Sequence, residues 1–139
     1  MKKNIFIIIF VVISIYSNNV NAQLDSTIKL CQSKMKLPFI SDGQSYTALL
    51  NNDETAEFYT TFYGGSTYRI VGYSGNYEGN LIFSVYDKER NLLFSNYDFD
   101  NTPYWDFTFD NTMDCIIEAK LDLKNSTSGI IVLFIGFKQ

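Results

Sequence analysis

The sequence predicts an all-β protein: an antiparallel β-sandwich, jelly-roll-like, with about eight strands and a short N-terminal segment of helical spacing. Three observations lead there. From residue 45 onward the apolar residues fall in short runs with period-two alternation. Gly, Asn and Asp turns separate those runs at strand-length intervals. Aromatic residues make up 17% of the chain, and such side chains suit a pleated, half-buried surface.

Residues 1–22 read as a secretory signal peptide. Lys2 and Lys3 give a basic start, an apolar run from Ile5 to Ile15 is broken only by Ser14, and Val20 and Ala22 hold the small-residue positions before a cut. The run is shorter than the roughly 20 apolar residues of a membrane span. An uncleaved anchor is the alternative; after cleavage no membrane insertion is expected. No cysteine stands at the cut to carry a lipid. The mature chain would start at Gln23, in the periplasm or outside the cell.

Setting 22 of 139 residues aside leaves 117, enough for one domain. Residues 23–36 form an N-terminal segment in which Leu24, Ile28, Cys31 and Met35 fall near helical spacing, and Pro38 closes it. Residues 37–139 form the sandwich. Its strands are expected at 45–50, 56–62, 67–73, 81–86, 92–96, from Tyr104 through Phe109, at 115–121 and at 129–137. The last, G-I-I-V-L-F-I-G-F, is apolar on both faces and reads as a central strand. Without Lys2 and Lys3 the 11 basic residues become 9 against 15 acidic, a net charge near −6. That surface repels nucleic acid and anionic lipid, so neither is expected as a partner.

Two cysteines, Cys31 and Cys115, sit in a chain bound for an oxidising compartment, and a disulfide is the economical reading. Such a bridge would stabilise by about 4 kcal/mol in the chain-entropy account. Two separately buried thiols are the alternative.

G-Q-S-Y-T-A-L-L, E-F-Y-T-T-F, G-S-T-Y-R-I-V, L-I-F-S-V-Y-D-K-E-R-N-L-L-F and W-D-F-T-F-D-N-T-M-D-C-I-I-E-A-K-L follow one another over residues 45 to 137. This succession resembles the bacterial pre-peptidase C-terminal type of domain, a jelly-roll sandwich carried by secreted proteins. The Y-D-K-E-R-N and G-F-K-Q blocks also resemble a standalone secreted family of unassigned role. These are strand-and-turn motifs, so the resemblance implies a fold more than a function. Such domains usually follow a catalytic domain, whereas here only the signal peptide is expected ahead of the sandwich.

Histidine is absent, which removes the usual partner of Ser and Cys nucleophiles and the commonest zinc ligand. No nucleophile-elbow, P-loop or dinucleotide-binding glycine pattern occurs. A carboxylate pair could still hydrolyse glycosides, with Asp106, Asp110, Asp114 and Glu118 the nearest candidates. So small a domain leaves little room for a cleft around them, and no enzyme activity is expected.

The stretch N-Y-D-F-D-N-T-P-Y-W-D-F-T-F-D-N, residues 96–111, gathers acids and aromatics. An EF-hand loop begun at Asp98 would need glycine where Pro103 stands and glutamate where Phe109 stands, so that reading fails. A looser calcium site on Asp98 and Asp100 stays open; no other cofactor is expected. At strand period Trp105, Phe107 and Phe109 share an inward face, with Tyr104, Asp106, Thr108 and Asp110 facing water. The inverted register would expose Trp105 as a sugar-stacking platform, helped by Tyr59, Tyr63, Tyr73 and Tyr77. Asn125-Ser126-Thr127 matches a glycosylation sequon. The function expected first is a non-catalytic interaction or accessory module of the cell envelope or extracellular space, binding a protein or glycan. A carbohydrate-binding module comes second and a small glycosidase a distant third.

Overall fold

A computed structural model of the chain describes residues 21–75 and 77–138. The signal-peptide reading lies outside these residues except for its last two positions. A helix covers residues 21–34, and eight strands follow: β1 (Ile40–Asn51), β2 (Thr55–Phe62), β3 (Thr67–Ser74), β4 (Leu81–Asp87), β5 (Leu92–Ser95), β6 (Tyr104–Thr108), β7 (Met113–Leu121) and β8 (Ser128–Lys138). All pairings are antiparallel. One sheet runs β1-β8-β3-β6 and the other β2-β7-β4-β5, the strand order of a jelly roll. The expected sandwich is therefore observed.

Period-two alternation builds the core between the sheets. Tyr68 and Ile70 of β3, Leu81, Phe83 and Val85 of β4, Cys115, Ile117, Ala119 and Leu121 of β7, and Ile131, Leu133 and Ile135 of β8 meet there. Each large side chain so buried contributes about 2 kcal/mol. Gly72 belongs to this packing: a Cβ there would reach within 2.8 Å of both Leu133 and Leu81 side chains, closer than real carbons approach.

Strands β3 and β8 are buried on their outer face as well. Val71, Tyr73, Val132 and Phe134 form a second cluster with Cys31, and Leu24, Ile28, Leu30 and Met35 pack against it. The helix thus lies across the outside of the first sheet. Its end is pinned by Arg69, whose guanidinium donates to the Lys34 carbonyl at 3.0 Å and chelates Asp106 at 2.7 and 2.9 Å. The same group stands over the rings of Phe39, 4.2 Å away, and Tyr104, 4.6 Å away.

This layering corrects two expectations. The Cys31–Cys115 disulfide is not formed, and both cysteines are buried free thiols. Cys31 lies outside the first sheet, 3.5 Å from the Val132 carbonyl, whereas Cys115 points into the core from the second. A whole sheet separates them, beyond the roughly 7 Å Cα separation a disulfide tolerates. Tyr73, expected to offer a stacking face, is 1% exposed because the helix covers it.

The stretch 96–111 leaves β5 through a one-turn 3-10 helix (Asn96–Phe99) and re-enters the other sheet as β6. Asn96 is fully buried at the point of departure. Its amide nitrogen donates to the carbonyls of Leu81 and Thr102, both at 3.0 Å, and its side-chain oxygen accepts from Phe83 N–H at 2.8 Å. One side chain thereby continues the ladder of β4 where β5 has ended.

Two measurements follow. Asn96→Ala leaves the Phe83 N–H and two carbonyls without partners, and is expected to cost about 2–4 kcal/mol, read as a lower urea midpoint at unchanged m-value. Burial pushes the Cys31 thiol up to about 12 and the Cys115 thiol up to about 11 from an ordinary 9.0. Below about pH 9 both states are protonated; above it the unfolded chain ionises first, so stability falls as pH rises, by up to about 1.4 kcal/mol per pH unit for each thiol. Urea unfolding from pH 8 to 10.5 should give a shallower fall for Cys31→Ala than for the parent. Equal slopes would contradict the burial of that thiol.

Candidate functional site

The sandwich opens at the edge formed by β1 and β2. Strand β1 loses register between Ser41 and Ser45, with Gly43 at a φ of 82° that glycine adopts freely. Past that irregularity β1 and the end of β2 enclose a cleft of about 630 Å³. Its floor includes Tyr68, Ile135 and Phe137, at the end of the core. The Tyr68 hydroxyl is held by the Tyr63 amide, which donates to it at 2.9 Å. Asp42, Gln44 and Tyr46 line the β1 side, and Tyr59, Thr60 and Tyr63 the β2 side.

Tyr59 and Tyr63 are 66% and 63% exposed. Tyr46 packs on Phe58, ring centroids 5.1 Å apart, and donates to the Gln44 side-chain oxygen at 2.6 Å. Loss of water around Asp42 pushes its carboxyl above the ordinary value, and the Gln44 amide, donating at 2.8 Å, works against that. The Tyr46 phenol is raised by burial first and then by the nearby Asp42 charge. Among the described residues, no basic side chain lines the cleft. It therefore presents acceptor oxygens and tyrosine faces, which suit a cationic or N–H-rich group. It contains no paired nucleophile and base.

The other expected site residues are scattered. Trp105 faces inward as its strand period predicts, half-buried, stacked on Phe94 at 4.9 Å and against Phe99 at 4.4 Å. It helps close the β5–β6 edge. Tyr77 lies at the far end of β3 and β8, beside Gly75 and Asn80. Asp98 and Asp100 are exposed on the 3-10 turn, and among the described residues no three His, Cys, Asp or Glu side chains are grouped to hold a metal ion. Among the candidate carboxylates, Asp106 is chelated by Arg69 on the first sheet, and Asp114 accepts from the Thr61 hydroxyl at 2.6 Å on the second. Asp110 is an exposed turn residue and Glu118 is half-buried on β7. The sequence reading missed Asp42 and Gln44 because S-D-G-Q reads as a turn before a strand beginning at Ser45.

No family model matches the chain, and no curated protein matches it in sequence. Among solved structures it is similar to PliG of Aeromonas hydrophila, a periplasmic inhibitor of g-type lysozyme, with a TM-score of 0.54 and 11% identity. The match covers 71% of this chain and 91% of that one. It is also matched by a de novo designed double-stranded β-helix, with a TM-score of 0.36, 12% identity, 68% of this chain and 99% of that one. At these identities the likeness to PliG speaks for the fold alone.

Proposed function

We propose that the chain is an exported, non-catalytic sandwich module of the periplasm or extracellular space that works by binding another protein through the β1–β2 cleft. One observation carries this reading: two well-exposed tyrosines stand around a carboxylate that has no ion-pair partner among the described residues. An arginine or lysine of a partner would find its counter-charge at Asp42 and aromatic faces at Tyr59 and Tyr63. The acidic excess of the chain favours approach by a basic surface. PliG, of similar fold, is a periplasmic lysozyme inhibitor, which supports a module acting on a protein. The jelly-roll strand order supports the resemblance to pre-peptidase C-terminal domains within the same reading. A sugar platform has lost its tryptophan to the interior, so glycan binding falls behind.

Site-specific photo-crosslinking tests the assignment. A benzophenone amino acid at Tyr63, activated in the native envelope fraction, is expected to trap one protein. The same probe at Lys124, an exposed turn residue remote from the cleft in the fold, is expected not to trap it. Adding Asp42→Asn is expected to weaken the adduct about tenfold or more, as removing one side of a charge pair desolvated in a complex does, while leaving stability within about 0.5 kcal/mol, since Asp42 is exposed in the free chain. Identical adducts from both probe positions, or no loss with Asp42→Asn, would remove the cleft from consideration. A shift of Trp105 fluorescence with added glycans would restore the sugar reading.

A further inference from the structure

We infer that the mature chain carries a cyclised N-terminus, with Gln23 converted to pyroglutamate. The inference rests on the reading that the chain is exported and cut after Ala22, and adds a covalent modification that neither the fold nor the cleft requires. Cleavage there makes Gln23 both the first residue and the start of the helix. Gln23 is exposed, and its carbonyl is held in place by Thr27 Oγ1 at 2.8 Å and Ser26 Oγ at 3.0 Å. The buried Thr27 hydroxyl also lies 3.2 Å from the Gly75 carbonyl, which anchors this turn to the end of β3.

The new terminus faces a small recess of about 220 Å³ lined by Ser74, Gly75, Tyr77, Asn80 and Asn125, among others, and among the described residues no charged side chain lines it. A free α-ammonium would sit at the positive end of the helix dipole beside that neutral recess, an unfavourable place for a cation. Asp25, in the first turn, complements the dipole, whereas the ammonium opposes it. Cyclisation removes the charge. The α-amino nitrogen attacks the side-chain carbonyl carbon Cδ, a new N–Cδ bond closes a five-membered lactam, and the Cδ–Nε2 bond breaks. Nε2 leaves as ammonia with the proton given up by the amine. No oxidant, reductant or further reactant is consumed.

Intact-mass analysis of the protein taken directly from its native source into acid tests this. The expected product spans residues 23–139 less about 17 Da, the mass of one ammonia, and does not react with amine labels at its terminus. A Gln23→Ala chain should show no such loss and should label. A chain cut in vitro to expose Gln23, held in the same acid for the same time, measures cyclisation during handling; an equal degree of conversion there would overturn the inference. A mature chain with an unmodified, amine-reactive Gln23 would overturn it too while leaving export intact. A chain that retains residues 1–22 would overturn both, and one that starts elsewhere would overturn the cut together with the inference.

Discussion

The two-sided burial of β3 and β8 governs the rest of this molecule. A sandwich of two sheets covers only the inner faces of its strands, yet Ile131 through Ile135 are all buried without a break. The outward set, Val132 and Phe134 with Val71 and Tyr73, needs a third layer, and the helix at 21–34 supplies it. Its seat is shaped by the sheet: a Cβ at Gly136 would occupy the space of the Met35 sulfur. Arg69 then fixes the end of the helix by joining the Lys34 carbonyl, Asp106 and two aromatic rings in one cluster. The side chain has 18% exposure and the Asp106 partner 38%, so the pair is worth more for its geometry than for its Coulomb energy.

That layer explains which expectations held and which did not. Strand positions were legible because period-two alternation and Asn, Asp or Gly turns are local signals, and the observed strands fall on the expected runs. The inward face of Trp105, Phe107 and Phe109 was legible for the same reason. The fate of Cys31 and Tyr73 was not. Both depend on where a short amphipathic helix docks, which is a long-range fact that no local period records. A helix laid on the outer face puts Cys31 on the wrong side of the sheet for Cys115, and it turns Tyr73 from a surface residue into a core one.

The β1–β2 cleft illustrates a second limit. Asp42-Gly43 is a turn signal in sequence, and here the same glycine conformation serves a strand irregularity instead. The strand therefore starts earlier than its apolar pattern, at Ile40, and carries Asp42 and Gln44 to the lip of the sandwich. Tyr59 and Tyr63 were legible as strand residues with wet ends, but their convergence with Asp42 belongs to the tertiary structure.

The two edges of the sandwich are treated differently. At the β5–β6 edge Phe94 bridges the sheets, stacking on Trp105 and Phe99 and meeting Phe107 edge-on, so that edge is filled by its own side chains. At the β1–β2 edge Tyr46–Phe58 is the one ring pair across the gap among the described residues, and beyond it a cleft reaches down to Tyr68 and Phe137. That edge, left open with Asp42, Tyr59 and Tyr63 at its lip, is the surface on which the proposed binding role rests.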